Sequence, residues 1–361
     1  MAGIYLHIPF CASFCTYCGF YSEVCTGREP HARYIEALAR ETSLRRDFFK
    51  GEPIKTIYFG GGTPSMLMGD DLHRIHDALA AAFDLSRVEE FTVEVNPEDV
   101  VSRGGLLPAL RSIGANRISM GVQSFCDRHL RWMNRRHDAA TAVEAFRKLR
   151  TAGFGNISID LIFGFAGLTD IEWRDTLQRA ISLAPEHISA YQMSIDAESA
   201  LAEMVALGRY ADPGDEICAR QYELQQQMLE AAGYGQYEVS NFCRPGYHSR
   251  HNSAYWTREP YLGLGAAAHS FNGSDRRSWN SSSVEQYCKA LEDGRLPLGG
   301  GEHLTEKDIY NERIMLGLRT TRGVPKGLIA APGILQDTGD TYRIPRDKLF
   351  ICDSIIEDFL R

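Results

Sequence analysis

What this 361-residue chain lacks narrows what it can be. It has no apolar run of membrane-spanning length free of charge, which excludes a transmembrane helix. Basic clusters are missing too: the formal charge of -8 leaves no face to neutralise phosphates, so no nucleic-acid partner is expected. The first ten residues have neither the cationic start nor the apolar length of a secretory signal, and a cytoplasmic location is the expectation. Repeats and low-complexity tracts are absent, which argues against solenoids and flexible linkers. A disulfide framework is also lacking, because the nine cysteines are odd in number and three of them crowd into the first eighteen residues. Metal or redox chemistry suits that crowding better.

What is present is a run of alternating β and α patterns. Short β-branched or aromatic segments at 4–8, 56–59, 91–95, 117–122, 157–162 and 188–193 alternate with stretches of helical period at 34–49, 72–83, 139–149, 171–183 and 217–232. Units of about 30 residues that alternate in this way build a parallel sheet through right-handed crossovers. Six units fall short of the eight that close a TIM barrel, so the expected fold is α/β, a partial (β/α)6 TIM-like barrel, with a doubly wound sheet as the alternative. The expected division is a core at 1–233, an irregular α+β extension at 234–303, and a small helical, winged-helix-like unit at 304–361. In that last unit a helix is expected from 305, a second apolar stretch at 328–331, a strand at "TYRIP", and a terminal helix from 348.

The strongest chemical signal is "CASFCTYC", in which Cys11, Cys15 and Cys18 follow the first strand at Cys-x3-Cys-x2-Cys spacing. Thiolates gathered by a short loop suit zinc or an iron–sulfur cluster. Structural zinc wants four closed ligands, and the nearest fourth candidates are His7, inside a strand, and Cys25. Three thiolates instead suit a four-iron cluster with one iron left open. A second signal, "GGGTP" at 60–64, follows the second strand. Its glycines allow close backbone approach to an anion, although a glycine turn is also common as plain architecture. A third is the set of polar residues set into apolar strands near their C-terminal ends, Glu94, Gln123, Asp160, Tyr191 and Gln192. Unpaired they would be costly to bury, so they have internal partners or they line a site.

With Tyr17 before its third cysteine, the loop resembles the cluster motif of radical S-adenosylmethionine (SAM) proteins. The longer strings "GIYLHIPFCASFCTYCGFYS", "IYFGGGTPS", "FTVEVNPE", "RISMGVQSF", "NISIDLIFGF" and "LTEKDIYNERIMLGLRTTRGV" resemble the oxygen-independent coproporphyrinogen dehydrogenases and their heme-chaperone relatives of the HemW type. The resemblance implies a 4Fe–4S cluster on Cys11, Cys15 and Cys18, and a SAM pocket in which Tyr17 also takes part. By the same resemblance Tyr5, Gly61, Gly62 and Thr63 hold the methionine end, Glu94 holds the ribose, and Gln123, Arg135 and Asp160 complete the pocket. Arg135 comes from the resemblance alone, since "NRRH" reads first as a solvated turn.

Three departures favour the chaperone branch. Phe20 stands where the dehydrogenases have a further cysteine, their long N-terminal extension has no counterpart before the first strand, and "RHNSAYW" matches the chaperones' HNxxYW signature. The implied heme-binding candidates are therefore His251, Asn252, Tyr255 and Trp256, since an imidazole ligates heme iron and aromatic rings pack on a macrocycle. His248 and His269 compete with His251, which a Tyr-rich loop would ordinarily use for packing. The turn "GFAGLTD" also departs from the family's usual Gly-Leu-Pro-Gly-Gln-Thr. The implied partners are heme as cargo, an electron donor and a heme-acceptor protein, which can itself be a membrane protein. Coproporphyrinogen oxidation, another radical SAM alkylation or cyclisation, and a structural zinc protein remain the alternatives.

Overall fold

The polar and apolar positions that alternate along the expected strands become the two faces of one sheet. In a computed structural model, which describes residues 2–330 and 332–361, strands Ala2–Ile8, Ile54–Gly61, Glu90–Val95, Arg117–Gln123, Ile157–Phe163 and His187–Gln192 lie side by side, in chain order and parallel. Ile4, Leu6, Ile57, Phe59, Val93, Ile118, Met120, Ile159 and Leu161 are buried in the main core. The alternate positions carry Thr56, Tyr58, Thr92, Glu94, Arg117, Ser119, Ser158, Asp160, His187 and Ser189, a layer of polar groups. The order of these strands never reverses, so the sheet has no switch point and is not doubly wound.

The segment expected to be an irregular extension instead supplies both edges of this sheet. Strand Tyr261–Leu264 pairs parallel with Ala2–Ile8, and His269–Phe271, Arg276–Asn280 and Leu298–His303 continue outward from it as antiparallel strands. At the far side Asn241–Cys243 pairs antiparallel with His187–Gln192 and carries Gly235–Gln236. A boundary at 233 therefore cuts through one continuous twelve-stranded sheet, and the sheet stays open.

A buried carboxylate ties the added edge to the core. Glu41, on helix Arg28–Leu44, is completely buried and accepts from Arg45 Nε at 2.9 Å, Asn280 Nδ2 at 2.7 Å, Tyr287 Oη at 2.7 Å and the Gly265 N–H at 2.8 Å. Burial raises its pKa, while Arg45 and the other donors oppose that shift. Tyr34 works alongside it, donating to the His7 carbonyl at 2.8 Å and accepting from the Ala266 N–H at 2.9 Å.

The C-terminal unit has helix Glu306–Leu318, a three-stranded sheet of Val324–Pro325, Gln336–Asp337 and Thr341–Arg343, and a last helix Cys352–Glu357. The apolar stretch expected at 328–331 is only the end of a 3-10 turn, Lys326–Leu328, and Ala331 lies outside the described residues. Residues 346–351 likewise form a 3-10 turn before the last helix begins. Among the described residues no helix is long and apolar enough to cross a membrane.

Candidate functional site

Register brings the chemistry to one end. Glu94 is opposite Ser119, Gly121 opposite Asp160, and Asp160 opposite Ser189, so the C-terminal halves of adjacent strands form the wall of a cavity of about 500 Å³. Cys11, Cys15, Cys18, Tyr17, Gly61, Gly62, Thr63, Glu94, Gln123, Arg135 and Asp160 all line it. Tyr191, Gln192 and Asn252 line it too. The sequence reading missed Tyr58, Asn96 and Arg117, which share the same space.

The cysteine loop is moored on three sides. Phe10–Cys11 pairs with Glu23–Val24, Thr16 Oγ1 donates to the Trp132 carbonyl at 2.9 Å, Asn134 Nδ2 donates to the Phe14 carbonyl at 2.6 Å, and the Leu201 N–H donates to the Thr16 carbonyl at 2.8 Å. The glycine turn holds it from beneath: the Gly62 N–H donates to the Ile8 carbonyl at 2.9 Å. A Cβ at Gly62 would lie 2.9 Å from the carbonyl oxygens of both Ile8 and Phe10. Backbone on that side cannot yield, so Gly62→Ala is expected to cost about 1–3 kcal/mol and to loosen the loop. Thermal melting together with metal content of the variant checks this, and wild-type values for both would contradict it.

Within the cavity the two strand carboxylates have partners. Tyr58 Oη donates to Glu94 Oε1 at 2.7 Å and the Gly61 N–H to Glu94 Oε2 at 3.2 Å, while Ser119 Oγ donates to Asp160 Oδ2 at 3.0 Å. Burial, with the charge of Asp160 adding to it, pushes the Glu94 pKa up to about 7, against the pull of Tyr58 and Gly61. Gln123 sits at φ 66, where the ladder to the next strand shifts register beside Gly121. For a residue with a side chain this conformation is strained, and it turns Gln123 into the cavity wall.

Arg135 joins the loop to the strand ends. Its guanidinium donates to Cys15 Sγ at 3.4 Å, Asn96 Oδ1 at 2.6 Å and the Gly121 carbonyl at 2.8 Å, and its buried Nε has no hydrogen-bond partner. Burial works against this cation, but Tyr17, Cys15 and Glu98 more than offset it and hold the charge in place. Cys11 Sγ lies 3.4 Å from Thr63 Oγ1. Burial is the main cause that raises the thiol of Cys11, and it is also the main cause that lifts Cys18 to about 11, so the bare loop keeps those protons until a metal displaces them.

The donor set fits an iron–sulfur cluster better than a single ion. Four ligands around one zinc at ~2.3 Å sit less than about 4 Å apart. Among the described residues the trio with all ligand atoms within 4.8 Å is Cys126, His129 and Glu172, not the three loop cysteines. At that trio a cation is already supplied, because Arg128 Nη2 lies 3.1 Å from His129 Nε2 and 2.5 Å from Glu172 Oε1. The three loop thiols do not all lie within 4.8 Å of one another, as ligation of a single ion would need and a multi-iron core does not.

Four of the sequence-derived assignments, Tyr5, His251, Tyr255 and Trp256, lie outside this cavity. Tyr5 lines a second cavity of about 440 Å³ on the other side of the Gly19–Phe20 turn, where its hydroxyl lies 3.0 Å from His7 Nδ1. His251 is buried inside the sheet, with Nδ1 2.9 Å from Thr56 Oγ1 and Nε2 2.9 Å from Tyr255 Oη. Burial lowers its pKa to about 3, with Arg117 contributing. With both nitrogens engaged, His251 in this arrangement has no lone pair for a heme iron. It is a packing residue of helix Arg250–Trp256, whose N-terminal N–H groups are held by Glu90. From the same helix Asn252 reaches the first cavity, Tyr255 reaches the second, and Trp256 is half-buried.

Comparison with known proteins matches residues 5–180 to the radical SAM superfamily. The chain is 32% identical over 371 aligned positions to the heme chaperone HemW of Mycobacterium tuberculosis, covering 99% of this chain and 94% of that protein. To the heme chaperone HemW of Bacillus subtilis it is 36% identical, covering 94% and 92%. Among solved structures it resembles the coproporphyrinogen III oxidase HemN of Escherichia coli at a TM-score of 0.82 and 24% identity, over 99% of this chain and 89% of that one.

Proposed function

Because this chain belongs to the radical SAM superfamily and, within it, to the family of the heme chaperones HemW, we propose that it binds heme and hands it to acceptor proteins, with a 4Fe–4S cluster on Cys11, Cys15 and Cys18 and SAM beside it. The observation that carries this reading is likeness to named heme chaperones along almost the whole chain. When bound, the cluster supplies one electron to the sulfonium of SAM. The chain's own contribution is positioning and charge. Arg135 keeps a cation 3.4 Å from Cys15 Sγ. Gly61 and Gly62 let the backbone pass close to a carboxylate, Glu94 accepts from ribose hydroxyls, and Gln123 and Asp160 close the wall. Since Phe20 replaces the further cysteine expected of a dehydrogenase, the loop offers no extra thiol at that place.

The direct test is to titrate anaerobically reconstituted protein with heme and then add an apo-acceptor. A Soret shift followed by transfer is expected, and its absence at both stages overturns the reading. Conversion of coproporphyrinogen under reducing conditions would point to the oxidase activity instead.

Glu94 gives a pH signature. With a pKa raised from 4.5 to about 7, the carboxyl is protonated below that value in the folded chain and ionised above it. Folding alone therefore takes up a proton between these limits, and the stability contribution of Glu94 falls as pH rises through this window. An ionised carboxylate accepts two hydroxyl donors, so SAM affinity is expected to rise between about pH 6 and pH 8 and to lose that slope in Glu94→Gln. Calorimetric titration across the range checks it; parallel slopes for the two proteins would remove Glu94 from the ribose site.

A further inference from the structure

We propose that heme is seated in the second cavity and that His269 ligates its iron. The inference rests on the chaperone reading above and supplies the site that His251 does not.

Four observations converge on this cavity. The first is shape: about 440 Å³ falls within the range of small-molecule sites, and the wall is aromatic, with Tyr5, Tyr21, Tyr255, Tyr261 and Phe20 among its residues. Tyr255 and Tyr261 pack edge to face at 4.8 Å, which fixes two of those rings. A flat apolar macrocycle finds there the contact surface it needs.

The second is the imidazole itself. His269 is exposed and lines the cavity, and among the described residues neither of its ring nitrogens has a hydrogen-bond partner. His248 is likewise exposed and without a hydrogen-bond partner among the described residues, but it does not line the cavity; the cavity's other histidine differs from His269. His7 shares the cavity, but its Nδ1 is taken by Tyr5 and its Nε2 lies 2.9 Å from the Tyr21 carbonyl. Only an unengaged, neutral nitrogen can take an iron. Partial burial, with Arg277 adding to it and Glu302 opposing, lowers the pKa of His269.

The third is support from behind. His269 stacks on Trp279 at 5.6 Å, and Trp279 lies so close over Gly300 that a Cβ there would come within 2.5 Å of the indole. That backing holds the imidazole at the rim of the cavity rather than leaving it free to rotate.

The fourth is position. Gly19 and Phe20 line both cavities, so the turn that follows Cys18 separates the proposed heme seat from the cluster site. Phe20 is 74% exposed and presents its ring to both cavities. A macrocycle in the second cavity gives it an apolar surface to pack on.

The experiment titrates ferric heme into reconstituted wild-type, His269→Ala and His248→Ala proteins, following the Soret band and checking iron content and circular dichroism. His269→Ala is expected to bind at least about tenfold more weakly with an altered Soret position, while its cluster iron stays at the wild-type level and His248→Ala behaves as wild type. In the unmodified protein, bound heme should protect His269 from carbethoxylation by diethyl pyrocarbonate, read by peptide mass, so the site is tested even where a variant folds poorly. Wild-type binding with His269 unprotected, or an unchanged titration in His269→Ala, overturns this site and leaves the chaperone reading standing. Failure of the wild-type protein to take up heme at all overturns both.

Discussion

Serine at all three of Cys11, Cys15 and Cys18 is expected to give folded, colourless protein that retains less than about a tenth of the wild-type iron and sulfide. A hydroxyl is a far poorer iron ligand than a thiolate, and no other cysteine lines the cavity to replace the trio. The fold should survive. The thiols are only half-buried, and their polar contacts are with Thr63 and Arg135 rather than with the apolar side of the sheet. The loop itself is moored through the backbone carbonyls of Phe14 and Thr16, which the substitution leaves alone. Iron and sulfide assays with far-ultraviolet circular dichroism check this. Unchanged metal content, or zinc in place of iron in the anaerobic wild-type protein, would remove the basis of the functional reading.

Glu41→Ala is expected to be the most destabilising single change outside the apolar core, at about 3–5 kcal/mol. Its carboxylate is the common acceptor of Arg45, Asn280, Tyr287 and the Gly265 N–H, so its removal leaves a buried cation and several buried donors short of a partner at once. The damage is not local. Gly265 and Asn280 lie in the added edge and Tyr287 on helix Val284–Glu292, and Ala267, Ala268 and His269, which line the second cavity, follow within four residues of Gly265. Heme affinity should therefore fall with stability, whereas Glu41→Gln, which keeps one acceptor oxygen, should lose less of both. Urea denaturation compares the three proteins; an alanine variant within about 0.5 kcal/mol of wild type would show that the network is dispensable.

Much of the core was legible because strands announce themselves by alternation. The expected segments at 56–59, 91–95 and 157–162 lie within observed strands, and Glu94 and Asp160, as polar residues set in apolar strands, pointed to the cavity they share. Arg117 was missed although it sits in the same layer, because an arginine at a strand's first position reads as a solvated end. Here it is buried, near Glu90 and Asp160. Arg135 also defeated a local reading: nothing in "NRRH" separates the arginine that reaches Cys15 from its neighbour Arg136, which pairs with Glu98. The edge strands were hidden for a different reason. "YLGL" and "HSF" are too short and too rich in glycine and polar residues to show a period, and they become strands only because neighbouring strands supply hydrogen-bond partners. His251 illustrates the limit of a motif: HNxxYW names a residue but not which way the helix turns it, here towards Thr56 and Tyr255.

The first strand has neighbours on both sides, one near residue 57 and the other near residue 262. During synthesis the cysteine loop thus leaves the ribosome long before the strand beneath it can complete its pairing, at ~5–20 residues per second a wait of roughly ten seconds or more. Through that interval one flank of the strand is an unfinished edge, open to pairing with other chains. A polypeptide halted near residue 233 would stay in this half-built form, its first strand still short of one neighbour until the segment near residue 262 closes over the start.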